Sequence, residues 1–358
     1  MLWHDSEKTI FHTKQLNATM NINGSNPRIL DLSHERSKRQ LNHIVTDSRA
    51  WTKKDIHPPD CIIRLDASVR DEILGMADAI EANPLPTVLR HPSQFKIPAA
   101  LEFMREVRRR LDTPPHVAVI DGMPLDEMET DHAIAAYWVL GQSIGRNVAQ
   151  KWDGTMIYHV RDTGVPWQYG VRGSYTSVEL LFHNDNAFGN TLPHYVGLLC
   201  LQPAKQGGLS RFCSLHTIHN RMLEIYPSEL KRLYESVFWD RQAEHQKGDS
   251  VVAWAPVFTY HGERLRTRAN PSLIVNGYAV AEVDMDDETA DAVGALKEVS
   301  EDPDLWFELP IERGHMQYIN NIDIAHYRSE FVDYSDRQKK RHLVRTWHRD
   351  TGQVTYNG

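Results

Sequence analysis

The stretch SVELLFHNDNAF (177–188) sets a histidine and a carboxylate two residues apart, His183 and Asp185, at the end of an apolar run. Alternate side chains of an extended strand share a face, so Glu179, Leu181, His183 and Asp185 are expected to point the same way. Two ligands from one strand can grip a metal ion, and a third from a distant segment would complete the set. The best third is His326 in NNIDIAHYRSEF, another apolar β-type run with a histidine near its end. A neutral imidazole coordinates through one nitrogen while a hydrogen bond fixes the other. Two histidines and one carboxylate leave the far face of the metal open to small ligands, which is a catalytic pattern rather than a closed structural one.

Other patterns compete. With 19 histidines in the chain an HxD tripeptide can arise by chance, and a second stands at His348-Arg349-Asp350. That copy lies among charged residues with no histidine downstream, whereas the first follows an apolar strand and has His326 available. Cys213, His216 and His219 are spaced like zinc ligands, but a fourth ligand is missing and Ser214 is a natural helix cap there. No GxSxG nucleophile elbow occurs. On these residues alone, structural or surface histidines stay open as the alternative to a metal.

The elements that would position these residues fall into two textures. CIIRLD (61–66) reads as a strand, and 67–83 as a helix with Val69, Ile73, Ala77 and Ile80 on one stripe. A second helix is expected over 99–112 through Leu101, Met104, Val107 and Leu111, then a strand over 116–123 and a third helix over 129–145. From about Thr155 the chain turns to short β-type runs broken by Gly, Pro and Asn: TMIYHV, SVELLFHND, HYVGLLCLQP, VFTYHG, LRTRA, HMQYIN, NIDIAHY and KRHLVRTWHRD. Strands at this spacing suggest a sandwich or barrel, interrupted by helical excursions over 217–238 and 288–302. Residues 1–58 are polar and close on His57-Pro58-Pro59, so they read as an N-terminal arm; 59–358 reads as a single domain, helical to about 150 and β-rich over about 151–350.

Composition narrows the partners. A net charge of -8 with interspersed basic residues gives no broad footprint for nucleic acid or an anionic membrane. No uncharged apolar stretch approaches the roughly 18 residues of a membrane span, and the first residues, MLWHDSEKTIFHTKQ, lack the apolar core of a leader. Three cysteines without a CxxC pair fit a reducing, cytoplasmic setting better than a disulfide framework. The expected partner is a small molecule, and the arm could wrap the body or meet a second copy in a homodimer.

Over a long span the chain resembles the TauD/TfdA family of Fe(II)- and 2-oxoglutarate-dependent dioxygenases, in the clavaminate synthase-like group. The resemblance runs through AYWVLG (136–141), Gln150, HVRD (159–162), VRGSY (171–175), ELLFHND (179–185), PAKQGG (203–208), Asn320-Asn321, HYR (326–328) and KRHLVRTW (340–347). It implies a mainly β fold with flanking helices around a double-stranded β-helix, the cupin-like jelly roll. It puts His183, Asp185 and His326 at the iron ligands. Arg341, 15 residues after His326, falls at the arginine for the distal carboxylate of 2-oxoglutarate, a task that suits a planar guanidinium. Ser210 stands where relatives often carry a threonine on the same carboxylate, a departure that keeps the hydroxyl. Arg345 matches a position near the substrate or cosubstrate.

The activity so implied uses Fe(II), 2-oxoglutarate and O2, with ascorbate as an activator in vitro. Oxidative decarboxylation to succinate and carbon dioxide is coupled to oxidation, usually hydroxylation, of an unactivated C–H bond. Desaturation, epoxidation and cyclisation are the alternatives within that chemistry, and a non-catalytic jelly-roll binding module is the alternative outside it. A carboxylate at 185 argues against halogenation, since halogenating relatives lack it. Glu179, Trp167, Tyr169, Arg172, Tyr175 and Arg345 are the candidate pocket residues, a mixture suited to a small polar or zwitterionic substrate.

Overall fold

Adjacent residues of one strand enter two different cores, and this organises the molecule. In the strand Val117–Asp121, Val117 and Val119 belong to one apolar cluster while Ala118 and Ile120 belong to another. The same period of two separates Ile319 from Met316 and Tyr318, and Val196 from Tyr195, Leu199 and Leu201. These strands therefore form a sheet covered on both faces. The computed structural model describes residues 29–166 and 171–357; Trp167, Tyr169 and the first half of the expected arm lie outside the described residues.

The large sheet has seven strands, running Ile62–Arg64, Val117–Asp121, Met316–Asn320, Tyr195–Gln202 and His342–Arg349, with Arg146–Val148 and Tyr158–Val160 both pairing with the last. Its outer face carries the three expected helices, Ala67–Ala82, Pro98–Leu111 and Thr130–Gly141. Asp66 caps the first by accepting from the Val69 amide at 2.9 Å. Glu72 of that helix accepts from the first-turn amides of Ala99 and Ala100 in the second, at 3.1 and 2.7 Å. Residues 133–141 of the third are buried all round, as the helix lies against the sheet at Gly197, where a Cβ would collide with the Tyr137 hydroxyl.

The small sheet has four antiparallel strands in the order Trp306–Leu309, Ser210–Ser214, Ile324–Arg328, Leu180–His183. Phe182, Phe212, Cys213, Ile324 and Ala325 from this sheet share an apolar core with the inner face of the large one. From Leu180 onward the chain alternates between the sheets: small at 180–183, large at 195–202, small at 210–214 and 306–309, large at 316–320, small at 324–328, large at 342–349.

The expected helix over 217–238 is instead two helices and a strand. Pro227, which cannot donate to the preceding turn, ends Leu215–Ile225 and opens Pro227–Leu233. Ser236–Asp240 then forms a fully buried strand beside Val252–Pro256. Asp287–Glu301 matches the other expected helix. Ile29–Asp31 pairs parallel with Val252–Pro256, and Leu32, Leu41, Val45 and Trp51 enter the same core as the two sheets. Cys61, Cys200 and Cys213 are buried and unpaired, and no helix among the described residues is long and apolar enough to cross a membrane.

Candidate metal centre

His183 is the last residue of its strand and stands opposite His326 on the neighbouring strand, their ring centroids 4.2 Å apart. Asp185 lies two residues past the strand end, so it is a turn rather than the pleat that brings it back to the histidines. Its Oδ1 is 3.7 Å from Nε2 of His183 and 3.7 Å from Nε2 of His326. Among the described residues these three form the one His/Cys/Asp/Glu cluster with converging ligand atoms, all within 4.8 Å of one another. Glu179 precedes the strand and is exposed.

The turn is held by asparagines. The Asp185 amide donates to Oδ1 of Asn321 at 2.7 Å, and Nδ2 of Asn321 donates back to the Asp185 carbonyl at 3.1 Å and to that of Pro193 at 3.0 Å. Asn184 accepts from the Ala269 amide and donates to the carbonyls of Thr267 and Asn321. The ligand turn is thereby tied both to the approach of the His326 strand and to the segment that opens the helix Pro271–Ala281.

Protonation states suit a cation. Nδ1 of His183 donates to the Leu181 carbonyl at 2.7 Å, which turns the lone pair of Nε2 toward Asp185. Burial lowers the pKa of His183 against the pull of Asp185, and burial with His183 nearby takes His326 down to about 3. Burial alone would raise the Asp185 carboxyl; Arg345, His326, His183 and the Trp347 hydrogen bond reverse this and hold it at about 2. At neutral pH the cluster offers two neutral imidazoles and one carboxylate. Oδ2 of Asp185 accepts from Trp347 Nε1 at 2.7 Å and forms an ion pair with Arg345, 3.0 Å from Nη1, leaving Oδ1 for a metal.

A cavity of about 200 Å³ opens beside these ligands. Of the expected residues its wall contains His183, Asp185, Glu179, Arg172 and Arg345; His326, Tyr175, Ser210 and Arg341 stand outside it. Glu179 accepts from the Tyr327 hydroxyl at 2.6 Å. Arg172 is buried against Glu244, Nε to Oε1 at 2.7 Å. Tyr175 stacks on Tyr158, ring centroids 5.5 Å apart. The wall also includes Gln242, Asn270, Ser272 and Asn276, which sequence reading missed. The helix carrying the last two was legible in principle, since Asn270 caps it and Pro271 opens it, but its apolar run PSLIVNGYAVA has no polar face to mark the period.

Arg341 is buried, and its Nε and Nη1 find no hydrogen-bond partner among the described residues. Burial lowers its pKa to about 10, and Arg328, buried and repelled by Arg341, comes down to about 9. Both guanidinium carbons lie 5.0 Å from the Phe331 ring centroid. A buried cation with unsatisfied donors fits an anionic ligand. Gly208, with φ +71°, makes the space: a Cβ there would come within 3.2 Å of Arg341 Nε. Ser210 is buried in the strand that follows.

The rival patterns are structural. His348 is buried, hydrogen-bonded to Thr346 and to the Gly145 carbonyl, while Asp350 pairs with Arg108. Ser214 caps its helix by accepting from the Thr217 amide, and His219 pairs with the Tyr234 hydroxyl at 2.8 Å.

The model of the Taurine catabolism dioxygenase TauD, TfdA family matches residues 81–347. FR-33289 synthase of Streptomyces rubellomurinus is 26% identical over 318 residues, 86% of this chain and 91% of that protein. A taurine hydroxylase-like protein of Stachybotrys chartarum is 25% identical over 314 residues, 84% of this chain and 78% of that protein. Among solved structures, an asparagine oxygenase in complex with Fe(II), 2S,3S-3-hydroxyasparagine and succinate superposes with a TM-score of 0.60 at 20% identity, covering 81% of this chain and 94% of that one. The non-haem iron oxygenase OrfP in complex with Fe and alpha-ketoglutaric acid gives 0.57 at 14% identity, with the same coverage.

Proposed function

Since the chain belongs to the TauD, TfdA dioxygenase family, we propose that it is an Fe(II)- and 2-oxoglutarate-dependent dioxygenase that hydroxylates a small polar or zwitterionic molecule through His183, Asp185 and His326. The observation that carries this reading is the carboxylate with one oxygen tied to Trp347 and Arg345 and the other 3.7 Å from two neutral imidazole nitrogens. The alternation of strands between the two sheets supports a double-stranded β-helix core within one oxygenase domain from residue 59, into whose core residues 29–51 of the preceding arm also pack.

On this reading Arg341 receives the distal carboxylate of 2-oxoglutarate. Its unsatisfied donors and the opening left by Gly208 support that role, with Ser210 proposed as the hydroxyl beside it. When bound, iron and the 2-oxo acid supply the oxidising power, and the chain's residues supply position. His183 and His326 stay unprotonated because burial disfavours their charged forms. Asn321 and Asn184 fix the turn that carries Asp185.

The substrate then enters the cavity on the side of Glu179, Arg172 and the helix Pro271–Ala281. Glu179 forms no ion pair among the described residues, and one oxygen accepts from Tyr327, so the group can meet a substrate ammonium or hydroxyl. The hydroxylated asparagine bound by the asparagine oxygenase, and the arginine bound by OrfP, support a substrate resembling an amino acid. Tyr175 is proposed at its edge.

The test is succinate formation by the purified protein with Fe(II), 2-oxoglutarate, ascorbate and oxygen. Wild type is expected to turn over the cosubstrate slowly without substrate, and His183→Ala and Arg341→Ala to lose that turnover. Failure of the wild type to bind either Fe(II) or 2-oxoglutarate would instead point to a non-catalytic jelly-roll module.

A further inference from the structure

Arg345 lines the cavity, yet its guanidinium is already engaged. Nη1 lies 3.0 Å from Oδ2 of Asp185 and Nε donates to Oε1 of Gln150 at 2.8 Å. Its central carbon lies 4.9 Å from the Tyr158 ring centroid and 5.0 Å from that of Trp347. Gln150 is fully buried, and its Nε2 donates to the carbonyls of Met156 and Arg345 at 2.8 and 2.7 Å. Because that nitrogen must face two carbonyls, Oε1 must face the guanidinium; the amide cannot be turned over without losing all three bonds.

We infer that Arg345, oriented by Gln150, is a positioning residue for Asp185: it holds Oδ2 away from the metal and leaves Oδ1 as the one oxygen presented beside the two imidazoles. This rests on the iron and 2-oxoglutarate reading above. An aspartate free to turn can offer both oxygens to one cation and so occupy a position that a chelating 2-oxo acid needs. Oδ2, paired with the Arg345 guanidinium and accepting the Trp347 indole N–H, is held from doing so by a neighbouring cation and one directional donor.

The test uses the full chain and Mn(II) as a redox-inert probe, followed by 2-oxoglutarate titrated onto the Mn(II)-loaded protein, for wild type, Arg345→Met and Arg345→Lys. Arg345→Met is expected to weaken Mn(II) binding by about 10- to 100-fold, the usual cost of losing a group that orients a ligand, and to weaken 2-oxoglutarate binding with it. Arg345→Lys, which keeps a cation beside Oδ2, is expected to recover most of the loss. In the anaerobic Fe(II) and 2-oxoglutarate complex the visible charge-transfer band should shift in Arg345→Met and return in Arg345→Lys. Wild-type affinities in Arg345→Met would overturn the inference, as would equal losses in both variants that track a lowered Tm. A wild type that binds no Mn(II) would overturn the metal reading beneath it, a result distinct from either.

Discussion

Trp347, in the large sheet, donates its indole N–H to Oδ2 of Asp185, two residues beyond the small sheet, at 2.7 Å. The carboxylate between the two histidines is therefore oriented by the opposite sheet, and the spacing of the two sheets sets where it points. Trp347 is buried and stacks on Tyr356, so Trp347→Phe keeps most of the packing and removes the donor. It is expected to weaken Mn(II) affinity by about tenfold with a small change in Tm, read by calorimetric titration and thermal unfolding.

Asn321 grips the backbone of Asp185 in both directions, and its side chain is fully buried. Asn321→Ala leaves the buried N–H of Asp185 and the carbonyls of Asp185 and Pro193 without this partner, which costs about 2 kcal/mol or more. Urea unfolding should show that loss. Titration of the folded variant should show weaker metal binding, because the turn is no longer fixed.

Gly208 combines a left-handed backbone with close approach to Arg341. In Gly208→Ala the methyl must press on the guanidinium that is proposed to take the cosubstrate. The expected result is a several-fold rise in the 2-oxoglutarate concentration needed for half-saturation, with Mn(II) affinity unchanged. Equal effects on both would place the glycine's role in the fold alone.

Acid sensitivity has a source away from the metal. Burial holds the imidazole of His219 at about 3 and that of His348 at about 4, against an ordinary 6.5. In the unfolded chain these groups take up protons as pH falls below about 6.5; in the folded protein they do not until much lower. Their share of stability is thus intact above pH 6.5 and is lost progressively as pH drops toward 3 or 4. His219→Gln, which can still bond Tyr234, should show a shallower fall in urea midpoint between pH 7 and pH 4 than wild type.

The legible parts of the molecule were those with a local period. The stripes of the helices at Ala67–Ala82 and Pro98–Leu111 and the apolar strands of the large sheet follow from side-chain spacing alone. HxD and a distant histidine were visible because each lies in or just after an apolar strand, although Asp185 reaches the site by a turn and not by the strand's period. What was not visible depends on contacts across the fold. Nothing local assigns Asn321 to the backbone of Asp185, or Trp347 and Gln150 to the carboxylate's orientation, because their partners lie 136, 162 and 195 residues away along the chain. The first three residues of Ser236–Asp240 read as helix because SVF follows helical residues without a glycine or proline to mark the change.

The helix Pro271–Ala281 lends Ser272 and Asn276 to the cavity, while its start is pinned to the ligand turn through the backbone of Ala269 and the side chain of Asn184. Its cavity-facing side chains supply no metal ligand, and its anchorage does not depend on which side chains they are. Substitutions at 272 and 276 can therefore redraw what the protein accepts while the oxidising machinery stays intact, which makes this helix the natural place for selection, or a designer, to retarget the enzyme.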